Sequence, residues 1–333
     1  MMDRRQFVTR LVAVGGGSVL GLTPGGARAE PPSETTRLRL GSVPSICLSP
    51  QYVAEELLRA DGFTDIHYPV SSGGVPGAKE MGAGETDIAM NFAAPLVVAL
   101  DGGAPIVVLA GVHVGCFELI ATDRVRTIKD LKGKTVAVFG LESAQHIFLA
   151  SMAASVGLDP RKDITWVTHP SNEAKQLLAE GKVDAFLGFP PDPQDLRARK
   201  IGHVVVNSAT DRPWSQYFCC MVVANREFVA RHPVATKRAL RAILKADQVC
   251  ALDPARAARA YRARGFSVPE DLVRQALKEV PFGRWHAYDP ADTLRFYALR
   301  LREAGMIKSG PQKILAQGTD WRFLNELKKE LKG

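Results

Sequence analysis

A strand, a loop, a helix, a second strand and a glycine-led third strand occur twice in this chain, about 97 residues apart, and that duplication limits what it can fold into. In the first copy Leu38-Arg39-Leu40 alternates as a strand does, Gln51–Ala60 carries helical apolar spacing, and Ile66–Val70 is the next strand. Gly84-Glu85-Thr86-Asp87 then opens a third strand that ends at Asn91. In the second copy Thr135–Phe139 is a strand, His146–Val156 a helix and Ile164–Val167 a strand, and Gly181-Lys182-Val183-Asp184 opens the last. Leu38/Val136, Leu40/Val138 and Ile66/Ile164 match at an offset of 98, whereas Gly84/Gly181, Asp87/Asp184 and Phe92/Phe189 match at 97, so one deletion reconciles them. In each copy the glycine closes a helix, the aspartate fixes a turn, and the apolar run that follows is continuous enough to be buried on both faces. Strands alternating with helices through right-handed crossovers predict an α/β fold of two lobes, each a mainly parallel sheet flanked by helices.

A chain of 333 residues, 46% of them apolar, buries enough surface for two moderate cores. Its five cysteines, at positions 47, 116, 219, 220 and 250, make neither a disulfide scaffold nor a paired zinc framework, so packing must hold the fold. The net charge of +8 is diluted over the length and implies no nucleic-acid partner. Part of that charge lies in residues 1–29, which read as an export signal. Arg4-Arg5 followed by Gln6-Phe7 resembles the twin-arginine pattern, with an ordinary secretory signal as the alternative; a glycine-diluted apolar run follows, and Ala27-Arg28-Ala29 offers a cleavage site after about Ala29, so on either route the chain leaves the cytoplasm. Residues 30–37 are a linker. From Pro233 the pattern is helical, over Pro233–Cys250, Pro254–Arg264, Pro269–Glu279 and Pro290–Ala304, with Asp253-Pro254 and Asp289-Pro290 as start signals. Lys237, Arg241 and Lys245 share one helix face, read as solvated.

Ligands of open parallel sheets bind beyond the carboxyl ends of the strands. Here those loops are Ser42–Pro50, Ser71–Pro76 and Asn91–Pro95 in the first copy, and Gly140–Gln145, Thr168–Asn172 and Gly188–Pro193 in the second. They hold no arginine or lysine to clamp an oxyanion, while Phe92, Phe117, Phe139, Phe189, Trp214 and Tyr217 lie in or beside them, with Glu118, Glu142 and Asp192 as occasional carboxylates. Aromatic walls with such polar groups suit a flat or partly cationic organic ligand. The chain contains no G-x-S-x-G, H-E-x-x-H, P-loop or dinucleotide fingerprint, and no catalytic residue is expected. His113, Cys116, Cys219 and Cys220 are placed to meet across strands; the plain expectation is that they pack, with no metal.

The Gly-x-x-Asp elements, the phrase Ile128-Lys129-Asp130-Leu131-Lys132-Gly133-Lys134 and Ser143-Ala144-Gln145-His146 after a strand together resemble the periplasmic substrate-binding proteins of the nitrate/sulfonate/taurine type, which include the thiamine-pyrimidine-synthase-like domain. The similarity covers nearly all of residues 38–325. It implies a monomer that captures a small sulfonate-, taurine- or pyrimidine-like solute between hinged lobes and delivers it to the permease of an ATP-driven (ABC) importer in the inner membrane, with no cofactor. Residues 38–120 and 215–333 would form the first lobe and 121–214 the second, with the chain passing between them near 119–127 and 208–216. The implied ligand contacts are Ser42, Pro44, Ser72, Gly73, Asn91 and Phe92 in the first lobe, and Ser143, Gln145, His146, Phe189 and Asp192 in the second. The return passage adds Trp214, Gln216 and Tyr217. The runner-up is an iron-dependent enzyme like thiamine pyrimidine synthase, with Cys219-Cys220 in place of its denser cysteine run; a third reading is an extracellular interaction module using the cationic helix.

Overall fold

The computed structural model describes residues 30–331, so the export signal lies outside the described residues. In chain order the strands are β1 (Arg37–Arg39), β2 (Asp65–His67), β3 (Ile88–Phe92), β4 (Ile106–Val114), β5 (Glu118–Ala121), β6 (Lys134–Val138), β7 (Ile164–Thr168), β8 (Ala185–Gly188), β9 (His203–Asn207) and β10 (Phe218–Asn225). Between and after them run α1 (Ser49–Ala60), α2 (Gly74–Gly82), α3 (Ala93–Asp101), α4 (Ala144–Ser155), α5 (Ser171–Ala179), α6 (Asp192–Ala198) and α7 (Arg226–Arg231). The rest is helical: α8 (Pro233–Leu252), α9 (Pro254–Arg262), α10 (Glu270–Glu279), α11 (Pro290–Glu303), α12 (Pro311–Gly318) and α13 (Arg322–Glu330). Asp253 and Asp289 cap α9 and α11 as their position before proline predicts, accepting from the Arg256 and Ala291 amides.

The second sheet has the order β7-β6-β8-β5-β9. Across the rest of the chain β3-β10-β4 is one ladder and β1-β2 another, and the parallel bridge between Leu40 and Ile88 lays β1 beside β3. The resulting order β2-β1-β3-β10-β4 repeats the second sheet strand for strand. The sheets are mixed: β1 with β2 and β6 with β7 are parallel, but β10 and β5 pair antiparallel with both their neighbours. Each antiparallel strand follows directly from a passage between sheets, so it enters its sheet against the direction of the strands already there.

Both Gly-x-x-Asp elements are locked the same way. The Asp87 carboxylate accepts from the Arg39 amide at 2.7 Å and from the Arg39 guanidinium, which also donates to the Gly84 carbonyl. Asp184 accepts from the Thr135 amide at 2.8 Å and from Arg124, which donates to the Gly181 carbonyl. By this contact Arg39 corresponds to Thr135, an offset of 96 where the apolar match had 98; a shift of two keeps every side chain on its face.

The first passage runs through residues 115–117, upstream of the expected 119–127, because Glu118–Ala121 already pairs in the second sheet. The return passage occupies 208–217. The two lie side by side: the Ser208 hydroxyl accepts from the Cys116 and Phe117 amides at 3.1 and 2.9 Å, and the Ser208 amide donates to the Phe117 carbonyl. Gly115 has a left-handed φ of +51°, and a Cβ there would stand 2.2 Å from Ala209 Cα, so only glycine permits the approach. The cationic face of α8 is not solvated as a whole. Lys237 pairs with Glu326 and Glu330 of α13, and Arg241 with Asp61 and Glu330, which takes away the basis for an interaction module.

Asp87→Ala and Asp184→Ala should each lower the free energy of urea unfolding by about 2 kcal/mol, since each removes a charged acceptor from a half-buried amide and from an arginine. Glu180→Ala, on the exposed end of α5, should unfold with the parent; equal loss in all three variants would contradict the lock.

Candidate functional site

The carboxyl ends of both sheets' strands meet at a cavity of about 670 Å³, within the range of small-molecule sites. Pro44, Ser72, Gly73 and Phe92 line it from the first sheet, and Ser143, Gln145, Phe189 and Asp192 from the second. Phe92 and Phe189, equivalent in the repeat, touch at a centroid distance of 5.3 Å, and Phe139, 58% exposed, adds a free aromatic face. The helices α2, α4, α5 and α10 all begin at the cavity, and first-turn amides have no intrahelical acceptor, so the positive ends of four helix dipoles point at it. One edge is sealed where the loop before α2 meets the loop before α4. The Val75 amide donates to the Glu142 carbonyl at 3.3 Å, Lys79 pairs with the Glu142 carboxylate at 3.4 Å, and a Cβ on Gly74 would stand 3.1 Å from the Glu142 carbonyl oxygen.

Gln145 is the polar group most plainly aimed at the cavity. Its side chain is 3% exposed, and among the described residues its amide has no hydrogen-bond partner. Lys175, one turn inside α5, also lines the cavity and was not foreseen, because the strand-end loops hold no cation. It pairs with Asp192 at 3.1 Å and Asp195 at 2.7 Å. Burial pulls the Lys175 ammonium down, but the two carboxylates outweigh it and hold the ammonium charged. Burial pushes the Asp192 carboxyl above its ordinary value despite Lys175. The lysine is therefore neutralised in place. Ser267, Val268 and Pro269, from the turn between α9 and α10, close a further side, and no residue-type signal in that turn announces it.

Six expected contacts lie off the cavity. Ser42 is spent on main-chain bonds, its amide donating to the Pro69 carbonyl and its carbonyl accepting from Ser71. Asn91 is satisfied within the protein: its side-chain amide nitrogen donates to the Gly74 carbonyl at 3.0 Å and its oxygen accepts from the Phe92 amide, so it holds the α2 loop rather than a solute. Trp214, 3% exposed, packs edge-on between Phe148 and Phe296, Tyr217 stacks on Phe296 at 3.9 Å, and Gln216 points to solvent. The cause is α11, which covers the return passage on the side where a ligand was expected. Of the three expected carboxylates, Glu118 lines a separate cavity and pairs with Arg197 at 3.4 Å.

Cys47, His113 and Cys220, and Cys116, Cys219 and Cys220, form two buried groups whose ligand atoms lie within 4.8 Å of one another. Thiols and an imidazole suit a soft ion. None of them lines the large cavity, so this donor set does not fit iron chemistry on a solute held there.

His146 faces away from the cavity, against Trp166, and its Nδ1 accepts from the Glu142 amide at 3.1 Å. Burial outweighs the Glu142 charge and depresses the imidazole to about 4. Between pH 6.5 and 4 the unfolded chain takes a proton here that the folded chain refuses, so this residue's contribution is complete above pH 6.5 and falls as pH falls. His146→Gln should reduce the loss of urea stability between pH 6.5 and 4.5 by at most about 2 kcal/mol; superimposable pH profiles would place the imidazole in water.

The geometry has relatives. The alkanesulfonate-binding protein SsuA of Xanthomonas axonopodis, bound to MOPS, superposes with a TM-score of 0.67 at 20% identity, covering 84% of this chain and 96% of that one. The periplasmic nitrate-binding protein NrtA of Synechocystis superposes at 0.71 and 15% identity, covering 90% of each. These likenesses establish the periplasmic-binding-protein fold. In sequence, the bicarbonate-binding protein CmpA of Synechococcus elongatus is 28% identical over 137 residues, 40% of this chain. The match spans only 30% of that curated relative's length. The NMT1-like family matches residues 31–264, and the chain belongs to it.

Proposed function

We propose that this chain is the extracytoplasmic solute-binding component of an ABC importer, which captures a small organic solute between two lobes and passes it on unaltered to a membrane permease. On this reading the lobes follow the sheets: one carries β1–β4 and β10 with the C-terminal helices, the other β5–β9. Residues 1–29 are the export signal, and the mature chain works as a periplasmic monomer. The observation that carries the reading is the cavity lined by both sheets, with the Gln145 amide, unpartnered among the described residues, on its wall. A ligand touching both sides favours the closed arrangement over an open one, which is how binding shifts such an equilibrium. Opening would break the Val75–Glu142 and Lys79–Glu142 contacts.

The relatives' names concern bicarbonate, nitrate and alkanesulfonates. For this chain the neutralised Lys175 leaves helix N-termini and Gln145 to receive an acceptor-rich or anionic end, while Phe92, Phe139 and Phe189 receive a carbon body. That combination favours a sulfonate-, taurine- or pyrimidine-like organic solute over a bare inorganic anion.

Thermal unfolding with nitrate, bicarbonate, taurine, an alkanesulfonate and an aminopyrimidine should show the largest rise with one of the organic members. Gln145→Ala should weaken that solute about tenfold. Trp214→Phe, remote from the cavity, should bind within twofold of the parent. No response to any solute, or stoichiometric iron with turnover of an organic substrate, would overturn the reading.

A further inference from the structure

We propose that Cys116 and Cys219 form a dithiol that a low-molecular-weight disulfide oxidises to an intramolecular bond, tying the two passages between the sheets to each other. Cys116 lies in the first passage and Cys219 is the second residue of β10, directly after the return. Their Sγ atoms stand 2.8 Å apart, whereas Cys219 and Cys220 are separated by 4.0 Å and Cys47 is engaged by the Ser45 hydroxyl at 3.0 Å. The backbones are already brought together by Ser208, which accepts from the Cys116 amide, so a bond needs little movement of either segment.

Access is one-sided. Cys116 is the only cysteine among the residues lining a cavity of about 240 Å³, shared with Glu118, Asn207, Thr210 and Glu279; Cys47, Cys219 and Cys220 do not reach it. The order of events follows. Cys116 Sγ attacks one sulfur of the oxidant, whose S–S bond breaks, and the first thiol leaves with the Cys116 proton. Cys219 Sγ then attacks Cys116 Sγ in the mixed disulfide, and the second thiol leaves with the Cys219 proton. Two protein thiols lose two electrons and two protons, and the oxidant is reduced to two thiols. The bond closes a loop of about a hundred residues that holds the whole second sheet, so it constrains the unfolded chain strongly. An oxidising compartment outside the cytoplasm is where such a bond persists. The inference stands apart from the solute reading, since neither cysteine lines the large cavity.

The test uses the purified full chain, reduced, freed of reductant and treated with hydroxyethyl disulfide. Thiols titrated after denaturation should fall from five to three. A non-reducing peptide map should join Cys116 to Cys219, and the melting temperature should rise by roughly 5 °C or more. Cys219→Ser should stop at a mixed disulfide on Cys116, and Cys220→Ser should still form the bond; if the serine variants do not fold, the map of the parent decides. Five thiols remaining, a link between Cys47 and Cys220, or a metal bound one to one through these thiols would each overturn the proposal.

Discussion

The two passages between sheets must lie against each other, and the constraint that permits it is the missing side chain at Gly115. Its α-carbon rests against Ala209, and the Ser208 hydroxyl satisfies two amides that the turn would otherwise bury without acceptors. Each passage then delivers an antiparallel strand into the sheet it enters, β5 into one and β10 into the other. With both sheets completed this way, their carboxyl-end loops converge on one cavity. A side chain at position 115 would part the passages and with them the register of two central strands.

The duplicated elements were legible because their cause is local. A glycine that ends a helix, an aspartate three residues on and a run of apolar residues determine a turn and a buried strand without reference to the rest of the chain. The aspartates go further than turn formation: each draws in an arginine that also takes the glycine's carbonyl, and the two arginines come from unrelated positions, 39 and 124. That part of the lock is long-range and invisible to a pattern search. The same division explains the sheets. Nothing in Glu118–Ala121 says which sheet it will join, so the first passage was expected several residues too late.

At the cavity, residues on strand-end loops were legible for the same local reason, and those on helices were not. Lys175 is reached only by going a full turn into α5, and Ser267 to Pro269 arrive from a segment well beyond the second copy, between α9 and α10. Trp214 and Tyr217 have the residue types of a binding wall, but α11 packs on them first, and an aromatic ring with an apolar neighbour gains more from burial than from waiting at a rim.

The charge pattern of the cavity is a consequence of where its ions come from. Lys175 and its two carboxylates sit on adjacent helices of the second sheet, so they neutralise each other whether or not anything lies between the sheets. A bare anion would have to compete with Asp192 and Asp195 for that ammonium in a partly desolvated site, where separating the pair leaves carboxylates uncompensated. Glu173 stands in the first turn of α5 and Glu270 and Asp271 in that of α10, but the N-termini of α2 and α4 carry no such counterion. They act only over the first turn, which confines the favourable position for negative charge to the mouth of each helix and leaves the space between the phenylalanines to an uncharged part of the same molecule. On the proposed reading, selectivity in this cavity would follow from the length and flatness of a solute that joins those two regions, more than from its charge alone.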